Sequence, residues 1–337
     1  MGLVPKFLIL RFSSIGDIVL TTPVMRCLKK QMPAAEIHYV TRAGYASVLE
    51  HNPYITKLHL VTEENESELI HHLKTLKFDY IIDLHHNIRT LRYKIALYKA
   101  KSFSFDKLNI EKWLLTTFKI NKLPVKHIVD RYLDTLQSFK IKNDEEGLDF
   151  FIGKKDIVPK SDLPLTHLHG YIAIAIGAAH ATKQIPVEKL KALCAEIDHP
   201  IILLGGKEDF DRAHEVDESD TVKIYNACGK FNLAETAYLI QESSLLITPD
   251  TGLMHIAAAF KKRIVTVWGN TVPLFGMYPY YGRHKNRSRH AEVPNLPCRP
   301  CSKIGHNACP KKHFNCMQLQ SVESIAAMAE ELLTIER

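Results

Sequence analysis

The chain has 337 residues, 46% of them hydrophobic and 24% charged, enough for two domains with their own cores and an ordinary globular mix. No apolar run approaches the ~18 residues of a membrane span, and the run 7–10 is too short for a signal-peptide core, so a protein made and kept in the cytoplasm is expected. A formal net charge of +7 suits anionic partners such as nucleotides, phosphorylated lipids or a membrane surface; a basic surface kept for solubility reads equally well from charge alone.

In chain order, short β-rich runs alternate with helical patterns, which indicates parallel sheets covered by helices. Strands are expected at 6–12, 36–41, 57–62, 78–84 and 101–105. Between them fall a helical pattern running to Leu28 that Pro23 kinks or restarts, a short helix at 44–51, and helices at 67–76 and 88–99. Helix 88–99 is basic, with Arg89, Arg92 and Lys94 near its start. Residues 108–139 read as irregular helix, and 143–164, rich in charge and proline, as a linker. The rhythm then restarts with strands at 171–176, 200–204, 222–226, 245–248 and 263–268, and helices at 187–197, 210–216, 233–241 and up to Phe260. Residues 277–316 read as a long basic loop, and 321–335 as an amphipathic closing helix.

In open α/β sheets, ligands bind beyond the carboxyl ends of the strands, and three turns there carry candidate chemistry. The first is Arg11-Phe12-Ser13-Ser14-Ile15-Gly16-Asp17. Gly16 permits a tight turn, and Asp17 is either a helix cap or a carboxylate placed as a general base. The second is Pro249-Asp250-Thr251-Gly252-Leu253-Met254-His255, where a buried strand enters a helix whose free N–H groups make an anion site. The third runs from Gly177 to Lys183, with small residues that admit a ligand and a lysine suited to phosphate. Neither G-x-G-x-x-G nor a P-loop stands at the first or third turn.

These three turns, in this order, resemble glycosyltransferase family 9, the heptosyltransferases of lipopolysaccharide inner-core assembly. The matching text is Phe12-Ser13-Ser14-Ile15-Gly16-Asp17 with Thr22-Pro23, then Asp83 to Arg89, Lys183, Asp250 to Ala259, and Val267-Trp268-Gly269-Asn270-Thr271 with Pro273. The resemblance implies an α/β chain of GT-B fold, with two Rossmann-like domains whose parallel sheets face an interdomain cleft. On that reading 1–155 binds the acceptor, 165–320 binds the nucleotide sugar, and 321–337 closes back toward the N-terminal domain. It implies an ADP-heptose donor, an anionic lipid-linked acceptor of Kdo–lipid A type, and inversion at the anomeric carbon. Carried over by position, Asp17 is the general base, and Ser14, Gly16, Asn87, Arg89 and Arg92 face the acceptor. Lys183, Thr251, Gly252 and His255 hold the donor diphosphate, Asp250 the donor sugar, and Gly177 and Leu253 also belong to the donor site. Such a lipid acceptor implies peripheral contact with the cytoplasmic face of the inner membrane; no nucleic acid is expected as a partner. Two features depart from the family's pattern: Ile185-Pro186 stands where an aromatic residue is expected before the proline, and 283–316 is unusually basic.

One direct displacement follows, in which Asp17, ionised at neutral pH, takes the acceptor's proton. The leaving diphosphate meets Lys183, His255 and a helix N-terminus, so no metal cofactor is needed for the chemistry. Cys298, Cys301, Cys309 and Cys316 form a separate cluster with a Cys-x2-Cys start, a candidate structural zinc site. Reduced thiols and a disulfide pair are the other readings of it. Two other functions fit the same sequence: a nucleotide-sugar epimerase on the same scaffold, and a non-catalytic binder of anionic lipid. Residues 107–122, with Trp113 and Phe118 among lysines, read either as a helix packed on its own domain or as a surface resting on a bilayer.

Overall fold

The computed structural model describes residues 4–334. It divides into two compact units, one holding residues up to Lys107 plus Lys126–Phe151, the other Leu108–Val125 plus the chain from Ile152 onward. The Ile335 end of the expected closing helix lies outside the described residues.

The first unit is a five-stranded parallel sheet. Its strands are β1 (Lys6–Leu10), β2 (Glu36–Arg42), β3 (Lys57–Val61), β4 (Tyr80–Asp83) and β5 (Lys101–Ser104), in the order β3-β2-β1-β4-β5. The apolar run of β1 is buried on both faces, as a central parallel strand requires. Helices α1 (Ile15–Val19) and α2 (Thr22–Gln31) follow β1, and the helix restarts at Pro23 because proline fits the first turn, where its missing N–H costs nothing. Helices α3 (Glu66–Thr75) and α4 (Ile88–Ala96) flank β4, and Leu73, Phe78, Ile81, Tyr93 and Leu97 close a core against Leu8, Leu10 and Phe12.

The second unit contains α5 (Asn109–Phe118), while α6 (Ile128–Leu133) returns to the first. Leu115 of α5 packs with Val272 and Phe275, and the Lys119 ammonium donates to the Cys298 and Pro300 carbonyls at 3.1 and 2.7 Å. The helix packs in the second unit and not on the N-terminal domain expected for it, while Trp113 and Phe118 remain 53% and 55% exposed. The sheet holds β6 (Ile172–Ala175), β7 (Ile201–Leu204), β8 (Ile224–Asn226), β9 (Leu245–Pro249), β10 (Ile264–Trp268) and β11 (Ser288–Glu292). All run parallel, in the order β11-β10-β9-β6-β7-β8. Helices α7 (Val187–Glu196), α8 (Phe210–Asp217), α9 (Leu233–Glu242) and α10 (Gly252–Ala259) connect them, and α11 (Asn315–Gln318) precedes α12 (Val322–Thr334).

Two expectations are corrected. Strand β11 lies inside the stretch read as loop; its residues are SRHAE, and as an edge strand it needs no apolar run. Residues 144–149 are no loose linker: buried Arg26 bonds the Asp144 carboxylate at 2.8 Å, pairs with Asp149 and donates to the Gly147 carbonyl at 2.7 Å. The described part of the closing helix is built into the second unit. Val322, Ile325, Ala326, Ala329 and Leu332 of α12 join that unit's own core, and Arg289 on β11 pairs with Glu331.

Candidate functional site

Both sheets reverse their strand order next to their first strand. In the first unit the reversal falls between β1 and β4, so the turns after Leu10 and Asp83 lie side by side. In the second it falls between β6 and β9, which brings the Gly177–Lys183 turn beside the Asp250 turn. A crevice at the carboxyl ends of the strands is the ligand position of such sheets.

In the first unit, Ser14 is the N-cap of α1 and Asp17 its third residue. The Asp17 carboxylate accepts the Ser14 hydroxyl at 2.8 Å and the Ser14 N–H at 3.3 Å, while Gly16 is buried in the same turn. The helix-capping geometry is therefore present. A cation is present as well: the Arg11 guanidinium lies 2.7 Å from the other Asp17 oxygen. Arg11 is buried and fixed on every side, donating to the Ser13 carbonyl at 2.6 Å, the Leu84 carbonyl at 2.6 Å and the Tyr132 hydroxyl at 3.0 Å. Burial alone would lower the Arg11 pKa, but Asp17 together with Tyr132 and Tyr39 turns the net shift upward. His85 is pushed down to about 4 by burial and then by Arg11 and Lys107, so it stands neutral at pH 7.

The proposed acceptor residues follow β4. Asn87 caps α4, its side-chain oxygen accepting the Thr90 N–H at 3.0 Å. Arg89 and Arg92 both reach Glu66, at 2.9 and 3.3 Å, and Arg89 also lies over the Phe12 ring, 5.4 Å from its centroid. Asp83 is fully buried against the Lys94 ammonium at 2.9 Å and receives the His85 and His86 N–H groups at 3.1 and 2.6 Å.

In the second unit, Lys183 and Asp250, 67 residues apart in sequence, meet at 2.7 Å, with side chains 15% and 13% exposed. The Thr271 hydroxyl donates to the same Asp250 oxygen at 2.9 Å. Thr251 is the N-cap of α10 and makes no side-chain cap bond; its hydroxyl lies 3.1 Å from that of Thr248. Gly252 and Leu253 form the partly exposed first turn of α10, while His255 is buried. Gly177 leaves room for a neighbouring carboxylate. A Cβ there would overlap the Asp209 carboxylate, which sits buried at the ends of β6 and β7 and accepts the Gly206 N–H at 3.0 Å. Burial, only partly offset by Gly206 and Arg212, raises the Asp209 pKa.

Sequence reasoning gave no role to Arg299. This half-buried residue donates from Nε to the Gly269 carbonyl at 2.6 Å and from Nη2 to the Thr271 carbonyl at 2.9 Å, and it pairs with Glu292 at 2.6 Å. The Cys301 N–H takes the carbonyl between them, Asn270, at 3.2 Å. Farther along, His306 and Thr182 exchange bonds at 2.8 and 3.1 Å. The segment 299–306 thus straps the Thr271 turn to the Lys183 turn.

The four clustered cysteines are free thiols, three half-buried and Cys316 buried. The Cys298 sulfur lies 3.9 Å from His313 Nε2, and the Cys301 thiol donates to the Cys298 carbonyl at 3.0 Å. Cys301 and Cys316 are each pushed up to about 11, by burial first and then by neighbouring thiols of the cluster. Among the described residues no three His, Cys, Asp or Glu side chains form a group able to hold a metal. The closed four-ligand set expected from the spacing is not formed. Also among the described residues, no helix is long and apolar enough to cross a membrane.

Comparison with known proteins gives a match to the family described as glycosyltransferase family 9 (heptosyltransferase) over residues 67–309. The chain belongs to glycosyltransferase family 9. It is a glycosyltransferase, and the epimerase and non-catalytic readings have no support. Over 294 residues it is 26% identical to lipopolysaccharide heptosyltransferase 1 of Campylobacter coli, covering 79% of this chain and 84% of that protein. Among solved structures, a family 9 glycosyltransferase from Veillonella parvula superimposes with a TM-score of 0.80 at 24% identity, over 100% of this chain and 99% of that one. An Escherichia coli heptosyltransferase solved with ADP-2-deoxy-2-fluoro heptose gives 0.66 at 18% identity, over 97% and 99%. These likenesses establish the GT-B fold for this family 9 chain.

Proposed function

We propose that this family 9 enzyme moves a heptose, with inversion, from an ADP-heptose donor to an anionic lipid-linked saccharide of the lipopolysaccharide inner core. The observation that carries the donor reading is the Lys183–Asp250–Thr271 cluster beside the open N-terminus of α10 at the strand-order reversal. A nucleoside diphosphate suits it: Lys183 and the N–H groups of α10 offer positive charge, and Asp250 accepts bonds from sugar hydroxyls. The relatives' names and the ADP-sugar in a solved relative support adenine and heptose as the donor's parts.

In this mechanism Asp17 takes the proton of the acceptor hydroxyl as its oxygen attacks the anomeric carbon. The bond from that carbon to the diphosphate breaks in the same step, and ADP leaves with the electron pair. Lys183, Thr251, Gly252, Leu253 and His255 meet the charge that grows on the diphosphate. Ser14, Gly16, Asn87, Arg89 and Arg92 meet the acceptor. The chemistry uses no cofactor. Zinc is proposed only as a structural ion of the cysteine loop, whose four thiols and His313 would have to draw together from their present positions to bind it. The enzyme works in the cytoplasm, in peripheral contact with the inner membrane where its acceptor resides.

The test is the melting temperature of chain purified without chelators, measured with ADP, UDP, GDP and CMP and no added metal. Ligand at 100 times its Kd adds about 2.7 kcal/mol of stability. A shift selective for ADP and lost in Lys183→Ala is expected; no shift with any nucleotide overturns the donor reading. Metal analysis of the same preparation is expected to give about one zinc per chain, and finding none removes the zinc.

A further inference from the structure

Helix α4 is apolar on two faces. Thr90, Tyr93 and Leu97 are buried against the sheet, as the inner stripe of a surface helix should be. The outer face should be polar, yet Ile88, Leu91 and Ile95 stand 88%, 49% and 66% exposed there. At 3.6 residues per turn these three fall within an arc of about 60°. Tyr98, just past the helix, extends the stripe and is 77% exposed. Scattered exposed apolar residues are normal, but a contiguous stripe on one helix marks a contact surface.

Charge decides what kind of surface it fits. From 84 to 105 the chain carries Arg89, Arg92, Lys94, Lys99 and Lys101 and no Asp or Glu. Arg89 and Lys94 turn inward to Glu66 and Asp83. Arg92, 56% exposed while reaching Glu66, and the exposed Lys99 and Lys101 keep the rim of the stripe basic. A second copy of this chain seated on the stripe would set these cations against one another. An anionic bilayer surface satisfies both halves of the pattern: acyl chains take the isoleucines and leucine, headgroups take the lysines and arginine, and a tyrosine suits the boundary.

We infer that α4 is the membrane-docking element, lying in the headgroup region of an anionic bilayer with Ile88, Leu91, Ile95 and Tyr98 inserted. This rests on the proposed peripheral contact and names the element that makes it. The same helix opens with Asn87 and Arg89, so docking through α4 would hold the proposed acceptor turn at the lipid surface.

The experiment is co-sedimentation of the full chain with vesicles of phosphatidylcholine alone or mixed with phosphatidylglycerol, at low and high salt. Binding to the mixed vesicles that weakens with salt is expected. The double variant Leu91→Ser/Ile95→Ser, at exposed positions, should bind them about tenfold more weakly with an unchanged melting temperature. Size-exclusion chromatography of both proteins runs alongside. Wild-type chain that ignores anionic vesicles, a variant that binds them as wild type does, or a wild-type dimer that the variant converts to monomer each overturns the inference. The ADP-induced melting shift separates this failure from failure of the donor reading, since it does not involve α4.

Discussion

Asp17 is held before any substrate arrives. One carboxylate oxygen takes the Ser14 hydroxyl and N–H, and the other faces Arg11, which four groups fix in place. The value of Asp17 here lies in being held in position before the acceptor arrives. Asp17→Asn keeps the shape of the side chain and removes its ability to take a proton. The expected result is a fall in kcat of roughly 10²–10⁴-fold with donor KM little changed. Steady-state kinetics with an ADP-sugar donor and a lipid-linked acceptor checks this, and near wild-type turnover in the variant would remove Asp17 as the base. Arg11 stood in the motif that drew attention to Asp17, but nothing in the sequence said where its guanidinium points. Its partners Leu84 and Tyr132 lie 73 and 121 positions away.

At the scale of elements, buried parallel strands were legible because they read as unbroken apolar runs: KFLIL, IILL and LLITP needed no context. The candidate turns were legible for the same reason, since each follows such a run. What was not legible depended on pairing. The SRHAE strand is held by β10 and by α12, and its own residues carry no period. The segment 283–316 stood out as unusually basic, yet Arg289 and Arg299 are spent on Glu331 and Glu292. Arg299 also bonds both carbonyls that flank Asn270, and Thr271 in turn bonds Asp250. Removing the guanidinium frees the turn that orients Asp250. Arg299→Met is therefore expected to weaken ADP binding about fivefold to tenfold, with Arg299→Lys restoring part of the loss, because a lysine can reach only one of the two carbonyls at a time. Isothermal titration with ADP reads this directly. Equal affinity in all three proteins would mean that the strap does not set the donor site.

At the scale of the whole molecule, the two units differ in the histidines they bury. His38 and His59 share a 2.9 Å ring-to-ring bond in the first unit and are both buried. Burial lowers the His38 pKa and pushes His59 down to about 4, with neighbouring cations adding to the effect, and His85 in the same unit is also pushed down to about 4. In the second unit burial lowers His167 and His290 as well. The folded chain keeps these rings neutral where the unfolded chain, with histidines near 6.5, already binds protons. Below about pH 6.5 the unfolded state therefore holds more protons, and stability falls as pH falls, until the folded rings themselves titrate, which for His59 and His85 is near 4. Each such ring adds at most about 1.4 kcal/mol per pH unit to the slope. The first unit carries both rings pushed down to about 4, so its melting transition should drop further than that of the second between pH 7.5 and 5. Calorimetry across that range checks the order, and His59→Gln, whose amide can still meet His38, should flatten the fall in the first transition. Two transitions that move in parallel, or a His59→Gln slope equal to wild type, would show that these rings do not control acid stability.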